Sequence, residues 1–271
     1  MIGGGGVKLH VREWGNPNGV PLLFVHGWSQ SHLSWARQYE SDLAERFRIV
    51  AFDLRGHGIS DAPMEREQYA DGEKWADDVA AIVEQLALAK PVLIGWSYGG
   101  AVVCDYVKKY GDRRLGGINF VAAAVKLGKA SASLIGPGFT QHAPASCGED
   151  LAANISALRN FLRACFGEHV APEDLETALA YNMVVRPTIR RFLLKRELDF
   201  TPVLERIAVP VLVTHDRSDS VVLPAMSDTI IDHCKTAMAS WYDGAGHLPF
   251  FAEPARFNSE LARFALDARL R

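Results

Sequence analysis

Apolar runs of strand length recur along the chain, and segments of helical period separate them. Val7 to Glu13 alternates apolar and polar positions, as a strand with one buried face does. Pro21 to Val25 is continuously apolar and ends at His26-Gly27, the pattern of a parallel strand covered on both faces. Arg48 to Phe52 ends at Asp53, and Pro91 to Ile94 runs directly into Gly95. Further strands are predicted at Gly117 to Ala122, Val209 to Thr214 and Ala237 to Tyr242. Between them, a helix is predicted near Leu33 to Phe47. Trp75, Val79, Ile82, Val83 and Leu86 repeat at helical spacing, and the apolar segment after Ala101 is helical. A last helix starts at Glu253-Pro254, where proline suits the first turn, and buries Phe257, Leu261 and Phe264.

Strands alternating with helices predict an α/β fold, a mostly parallel sheet with helices on both faces. The rhythm breaks after about Val125. A stretch rich in Gly, Ser, Ala and Pro leads to three helical patterns, near Glu149 to Phe166, Pro172 to Val184 and Thr188 to Leu198. This block is expected to be a helical cap: residues 1–124 and 201–271 form the core domain, and residues 125–200 are inserted in it. A length of 271 residues suits one large domain carrying such a lobe.

The net charge is −3 and no Lys/Arg block stands out, so nothing favours a nucleic acid or an anionic membrane as partner. No apolar stretch approaches the roughly 20 residues of a membrane span. No basic start followed by an apolar run marks a secretory signal. The Gly3 to Gly6 run precedes its strand, where a phosphate-cradling loop would follow one, so a flexible terminus is expected. Cys104, Cys147, Cys165 and Cys234 form no CxxC pair and have no histidine at ligand spacing. No metal and no cofactor are expected, and a reducing cytoplasm is the simplest compartment. Cys104, within an apolar helix, is expected to be a buried packing thiol.

The chemistry concentrates at Gly95-Trp96-Ser97-Tyr98-Gly99, a G-x-S-x-G pentapeptide between an apolar strand and an apolar helix. A tight turn there pushes the serine hydroxyl out at the end of the sheet, and the following helix aims its positive end at it. Three further segments stand in order with this elbow: His26-Gly27-Trp28, Asp53-Leu54-Arg55-Gly56-His57-Gly58-Ile59-Ser60 and Gly244-Ala245-Gly246-His247. Together they resemble the α/β-hydrolase family over nearly the whole chain.

The resemblance implies a catalytic triad of Ser97 as nucleophile, His247 as base and Asp219 as the carboxylate that orients it. Nine histidines compete for the role of base. His247 sits in a glycine loop after the last predicted strand. His57, also between glycines, is the rival but lies in a loop that braces the site; His26, beside the oxyanion loop, is expected to be structural. His10, His32, His142, His169, His215 and His233 have no flanking pattern and are expected at the surface or in packing. Asp219 lies in His215-Asp216-Arg217-Ser218-Asp219-Ser220-Val221-Val222, which resembles the family's acid loop, with Asp216 the nearest rival. The expected oxyanion donors are the backbone N–H groups of Trp28 and Tyr98, whose side chains are expected to wall the pocket and bind substrate.

A serine at the elbow argues against the dehalogenases and epoxide hydrolases of the family, which carry aspartate there. The expected partner is therefore a small-molecule ester or lactone, cleaved through an acyl-enzyme. Two alternatives keep the same triad. One is a cofactor-free perhydrolase, suggested by the Trp after His-Gly. The other is a carbon–carbon bond hydrolase, with Arg186, Arg190 or Arg191 as the cation for a substrate carboxylate. A hydrolase-like ligand receptor is a further reading that an intact triad does not exclude.

Overall fold

In a computed structural model, which describes residues 1–167 and 170–269, the chain builds a seven-stranded sheet. Its strands are β1 (Val11–Gly15), β2 (Val20–Val25), β3 (Phe47–Phe52), β4 (Val92–Trp96), β5 (Gly117–Val121), β8 (Val211–Asp216) and β9 (Ala237–Tyr242). Between β5 and β8 lie β6 (Lys126–Leu127) and β7 (Leu198–Asp199), which pair only with each other. The order across the main sheet is β1-β3-β2-β4-β5-β8-β9. Every neighbouring pair is parallel except β1 with β3. Strands β2, β4, β5 and β8 are buried at every residue, which is why β2 and β4 are continuous apolar runs in the sequence, while β5 and β8 also bury the polar Asn119, Thr214, His215 and Asp216. Burying each Val, Leu, Ile or Phe there is worth about 1.5–3 kcal/mol.

The main helices are α1 (Gly72–Gln85), α2 (Tyr98–Tyr110), α3 (Leu151–Phe166), α4 (Pro172–Val184), α5 (Pro187–Leu194), α6 (Ala225–His233) and α7 (Pro254–Arg269). α2 packs on β2 and β4 and against α1, α6 packs on β8 and β9, and α7 packs on β5. Helices α3, α4 and α5 all fall between β5 and β8, and the two-residue β6–β7 ladder closes the neck of that insertion. Five of the seven open with a cue legible in the sequence. Asp71 accepts the Glu73 N–H at the start of α1 and Asp150 the Ala153 N–H at the start of α3, while Pro172, Pro187 and Pro254 stand in the first turns of α4, α5 and α7.

Three expectations are corrected. The first strand is β1, Val11–Gly15, not Val7 to Glu13; Val7 and Leu9 are buried, but Lys8 makes only an isolated bridge to Ile2. The helix expected from Leu33 to Phe47 is broken into short turns, His32–Trp35, Ala36–Tyr39 and Leu43–Arg46. Ser41 interrupts it: its hydroxyl donates to Gln38 O and accepts from Leu43 N, replacing the helical bonds there. The glycine run is not a loose end. Gly4 is buried; its N–H donates to Asp78 Oδ1 and its carbonyl accepts from Arg55 Nη2 at 2.8 Å, bridging a fully buried Arg55–Asp78 ion pair. Removing either partner of that pair would leave a charge stranded in the core.

Candidate active site

The elbow follows directly from the end of β4. Ser97 has φ 54° and ψ −119°, a strained backbone for a residue with a Cβ. The close approach explains the glycines around it. A Cβ on Gly99 would lie 2.3 Å from Val25 O, and one on Gly95 2.8 Å from Gly99 O. The strained turn is tied to the sheet, because Ser97 N–H donates to Val121 O at 3.0 Å and Ala124 N–H donates back to Ser97 O at 2.9 Å. Ser97 is thereby presented on the wall of a cavity of about 640 Å³, with Trp28, Tyr98, Phe139 and Phe161 among its other lining residues.

Two loops at the same end of the sheet bring the other predicted residues together. After β8, Asp219 Oδ2 accepts from His247 Nδ1 at 2.7 Å. Asp219 Oδ1 accepts from the N–H groups of Val221 and Val222 at 2.8 and 3.2 Å. Burial by itself would raise the Asp219 carboxyl. The facing His247 and the hydrogen bonds from His215 and His247 outweigh it and hold the group well below the usual carboxylate range. His247 is held from several sides: its N–H donates to Cys165 O, its carbonyl accepts from Trp96 Nε1 at 3.0 Å, and Phe250 packs against the same Trp96 ring. His247 Nε2 is buried and has no hydrogen-bond partner among the described residues. With Nδ1–H given to Asp219, that nitrogen carries the lone pair.

The rivals have other tasks. Asp216 accepts from Ser218 N and Oγ with one oxygen and from Ala245 N, at 2.7 Å, with the other. It staples the acid loop to the glycine loop that carries His247. His57 donates Nδ1–H to Arg55 O, and its Nε2 accepts the Ser29 N–H at 3.1 Å, so its lone pair is occupied. His26 is used in the same way, with Nδ1–H to Gly27 O and Nε2 accepting from Leu54 N. Burial pushes His57 down to about 4 and His26 down to about 3, so both stay neutral. The N–H groups of Trp28 and Tyr98 have no acceptor among the described residues. The Tyr98 N–H is one of the free donors at the start of α2.

Matching the sequence against protein families places residues 22–260 in the family described as the alpha/beta hydrolase family. The chain belongs to that family. An esterase, RhEst1, from Rhodococcus sp. ECU1013 is 34% identical, with a TM-score of 0.91 over 97% of this chain and 96% of that one. A putative aryl esterase from Burkholderia cenocepacia is 32% identical, with a TM-score of 0.92 over 100% and 98%. A non-heme chloroperoxidase of Streptomyces lividans is 28% identical over 96% of each chain. This alpha/beta hydrolase is therefore similar to esterases over its whole length and is a hydrolase by family. None of its helices, among the described residues, is long and apolar enough to cross a membrane.

Other features of this hydrolase were not visible along the sequence. His215, expected at the surface or in packing, is fully buried beside the acid: its Nε2 lies 2.9 Å from Asp219 Oδ2 and its Nδ1 2.7 Å from Ser227 Oγ. The available signal is its place four residues before Asp219. Of the three arginines considered as substrate cations, Arg190 is excluded by its bonds. It is buried and donates to Ser29 Oγ, Ser146 O, Asn154 Oδ1 and Asn182 O. Trp28 Nε1 in turn donates to Arg190 O at 3.2 Å, which ties the insertion to the loop beneath it. Arg186 is exposed against Met64, and only Arg191 reaches the cavity wall. All four cysteines are free and buried, Cys104 among them. Although no metal-ligand spacing exists along the chain, folding brings His10, His32 and Asp53 within reach of one another. His32 Nδ1 and its backbone N–H both bond Asp53 Oδ1, and none of the three lines the Ser97 cavity. His169 lies outside the described residues.

Proposed function

We propose that this hydrolase cleaves carboxylic esters or lactones of small molecules through an acyl-enzyme on Ser97. The observation that carries the reading is the unpartnered, buried His247 Nε2, backed by Asp219, on a residue whose carbonyl accepts from Trp96, the neighbour of a serine held on a strained elbow at a mainly apolar cavity. The Ser97 hydroxyl attacks the substrate carbonyl as His247 Nε2 takes its proton. Asp219 holds the tautomer and stabilises the imidazolium that forms. Negative charge on the carbonyl oxygen meets the free N–H groups of Trp28 and Tyr98, each such donor being worth roughly 10²–10³ in rate. The imidazolium then protonates the departing alkoxide. In the second half, water gives a proton to His247, attacks the acyl carbon and releases the acid with Ser97 restored. In a lactone the alcohol stays attached to the acyl group. The insertion carrying α3 to α5, residues 125–200, acts as a cap whose walls choose the substrate, over a core of residues 1–124 and 201–271.

Ser97→Ala and a serine-directed phosphonate test this reading. A folded Ser97→Ala protein should lose at least about a thousandfold in turnover of a short p-nitrophenyl ester while keeping a residual rate. The phosphonate should map to Ser97 and to no other serine. Near-wild-type turnover by the variant, or label on Ser29, Ser60 or Ser218, overturns the assignment. The likeness to a chloroperoxidase over nearly the whole chain favours one second reading, in which peroxide replaces water in deacylation. Acetate with peroxide, assayed for peracid, measures it.

A further inference from the structure

The cavity beside Ser97 is walled mainly by apolar groups, with Ile135, Phe139, Phe161 and Leu194 among them, and no Asp or Glu lines it among the described residues. Among those residues its charged lining is Arg191 and Lys195, one helical turn apart at the end of α5. Arg191 is half-buried and Lys195 is exposed. Neither has an ion-pair partner among the described residues. Other cations nearby are matched: Arg196 meets Asp105 at 2.8 Å, Lys126 meets Asp199 at 3.2 Å, and Arg190 is enclosed by oxygen acceptors.

Helix energetics give little reason for this pair. Like charges at i and i+4 cost a few tenths of a kcal/mol, and placement at a helix C-terminus returns a similar amount. Their position gives a better reason. Two unmatched positive charges on a mainly apolar wall attract an anion, most strongly at the half-buried Arg191. The chain as a whole is net negative, so this cavity stands out from the average surface in sign.

We propose that Arg191 and Lys195 form an anion subsite, and that the preferred substrate is an ester or lactone carrying a carboxylate remote from the scissile carbonyl. The inference rests on the esterase reading of Ser97 and names the substrate class for that site. The apolar body of such a substrate fills the cavity while its carboxylate meets the two cations.

The test compares p-nitrophenyl hexanoate with mono-p-nitrophenyl adipate, six-carbon acyl groups that differ by the terminal carboxylate. The ratio of kcat/KM, adipate over hexanoate, should fall about tenfold or more in Arg191→Gln/Lys195→Gln, and should fall with salt in the wild type. Arg191→Glu/Lys195→Glu should favour the 6-aminohexanoate ester instead. Calorimetry on Ser97→Ala with monomethyl adipate and with methyl hexanoate reads the same preference without turnover. Equal ratios in wild type and double variant, or equal binding of the two esters, overturns the subsite. If hexanoate turnover survives Ser97→Ala, the esterase reading fails instead, and the calorimetry still decides the subsite on its own.

Discussion

Exchanging Asp219 for asparagine separates the proposed acid from its neighbour Asp216. The carboxylate accepts four hydrogen bonds, from His247 Nδ1 and His215 Nε2 on one oxygen and from Val221 and Val222 N–H on the other. An amide has one oxygen for these two sets. If that oxygen stays with the backbone donors, the NH₂ faces His247, which must then offer Nδ1 as an acceptor and carry its proton on Nε2. In that tautomer Nε2 cannot take the Ser97 proton. In serine proteases with this triad, the same exchange costs roughly 10⁴ in kcat, which is about 5 kcal/mol of barrier. A loss of that order is expected for Asp219→Asn. In Asp216→Asn one oxygen can still accept from Ser218 or from Ala245, but not from both sets. The cost falls first on stability, about 1–3 kcal/mol for the stranded buried donor, with a smaller loss in kcat as the His247 loop loosens. Both variants remove one negative charge, so the comparison isolates position from net charge. Kinetics on a short p-nitrophenyl ester, with folding followed by circular dichroism and urea titration, decides between them. If Asp216→Asn is the more damaged catalyst while remaining folded, the assignment of the acid is wrong.

Other expectations follow from the same geometry. His215→Phe removes a donor from Asp219 Oδ2 and should lower kcat with little change in KM, whereas His215→Gln, which keeps an N–H, should recover most of the loss; equal damage in both variants would reduce His215 to a packing residue. His26 and His57 have folded values of about 3 and about 4 against 6.5 when unfolded. The unfolded chain therefore binds more protons between those values and 6.5. Stability present above pH 6.5 is lost as the pH falls toward 4. Urea midpoints measured from pH 7 to pH 4 should decline, and decline less in His57→Gln; a flat profile contradicts the buried neutral state. EDTA should leave ester turnover unchanged, because the chemistry proposed for Ser97, His247 and Asp219 needs no metal and His10, His32 and Asp53 do not line the Ser97 cavity. Loss of activity restored by one particular metal would count against this.

The periodic pattern of the chain determined the parallel sheet, because strands covered on both faces are mostly apolar, as β2 and β4 are throughout. The elbow was equally legible, since only glycine leaves room for the Val25 carbonyl against Gly99, and Gly95-Trp96-Ser97 begins where an apolar strand runs out. Local side-chain bonds were less visible: Ser41 breaks a helix that the apolar period alone would continue to Phe47. Gly3 to Gly6 carry no side-chain pattern, so nothing along the chain showed that Gly4 is clasped by Arg55 and Asp78 from 51 and 74 residues away. The same limit hid the second histidine on Asp219, the bonding of Arg190, and which arginine of three reaches the cavity. Those features depend on the direction of long side chains and on contacts between distant segments. Periodicity records which face of an element is buried, and only the packed structure decides what that face meets.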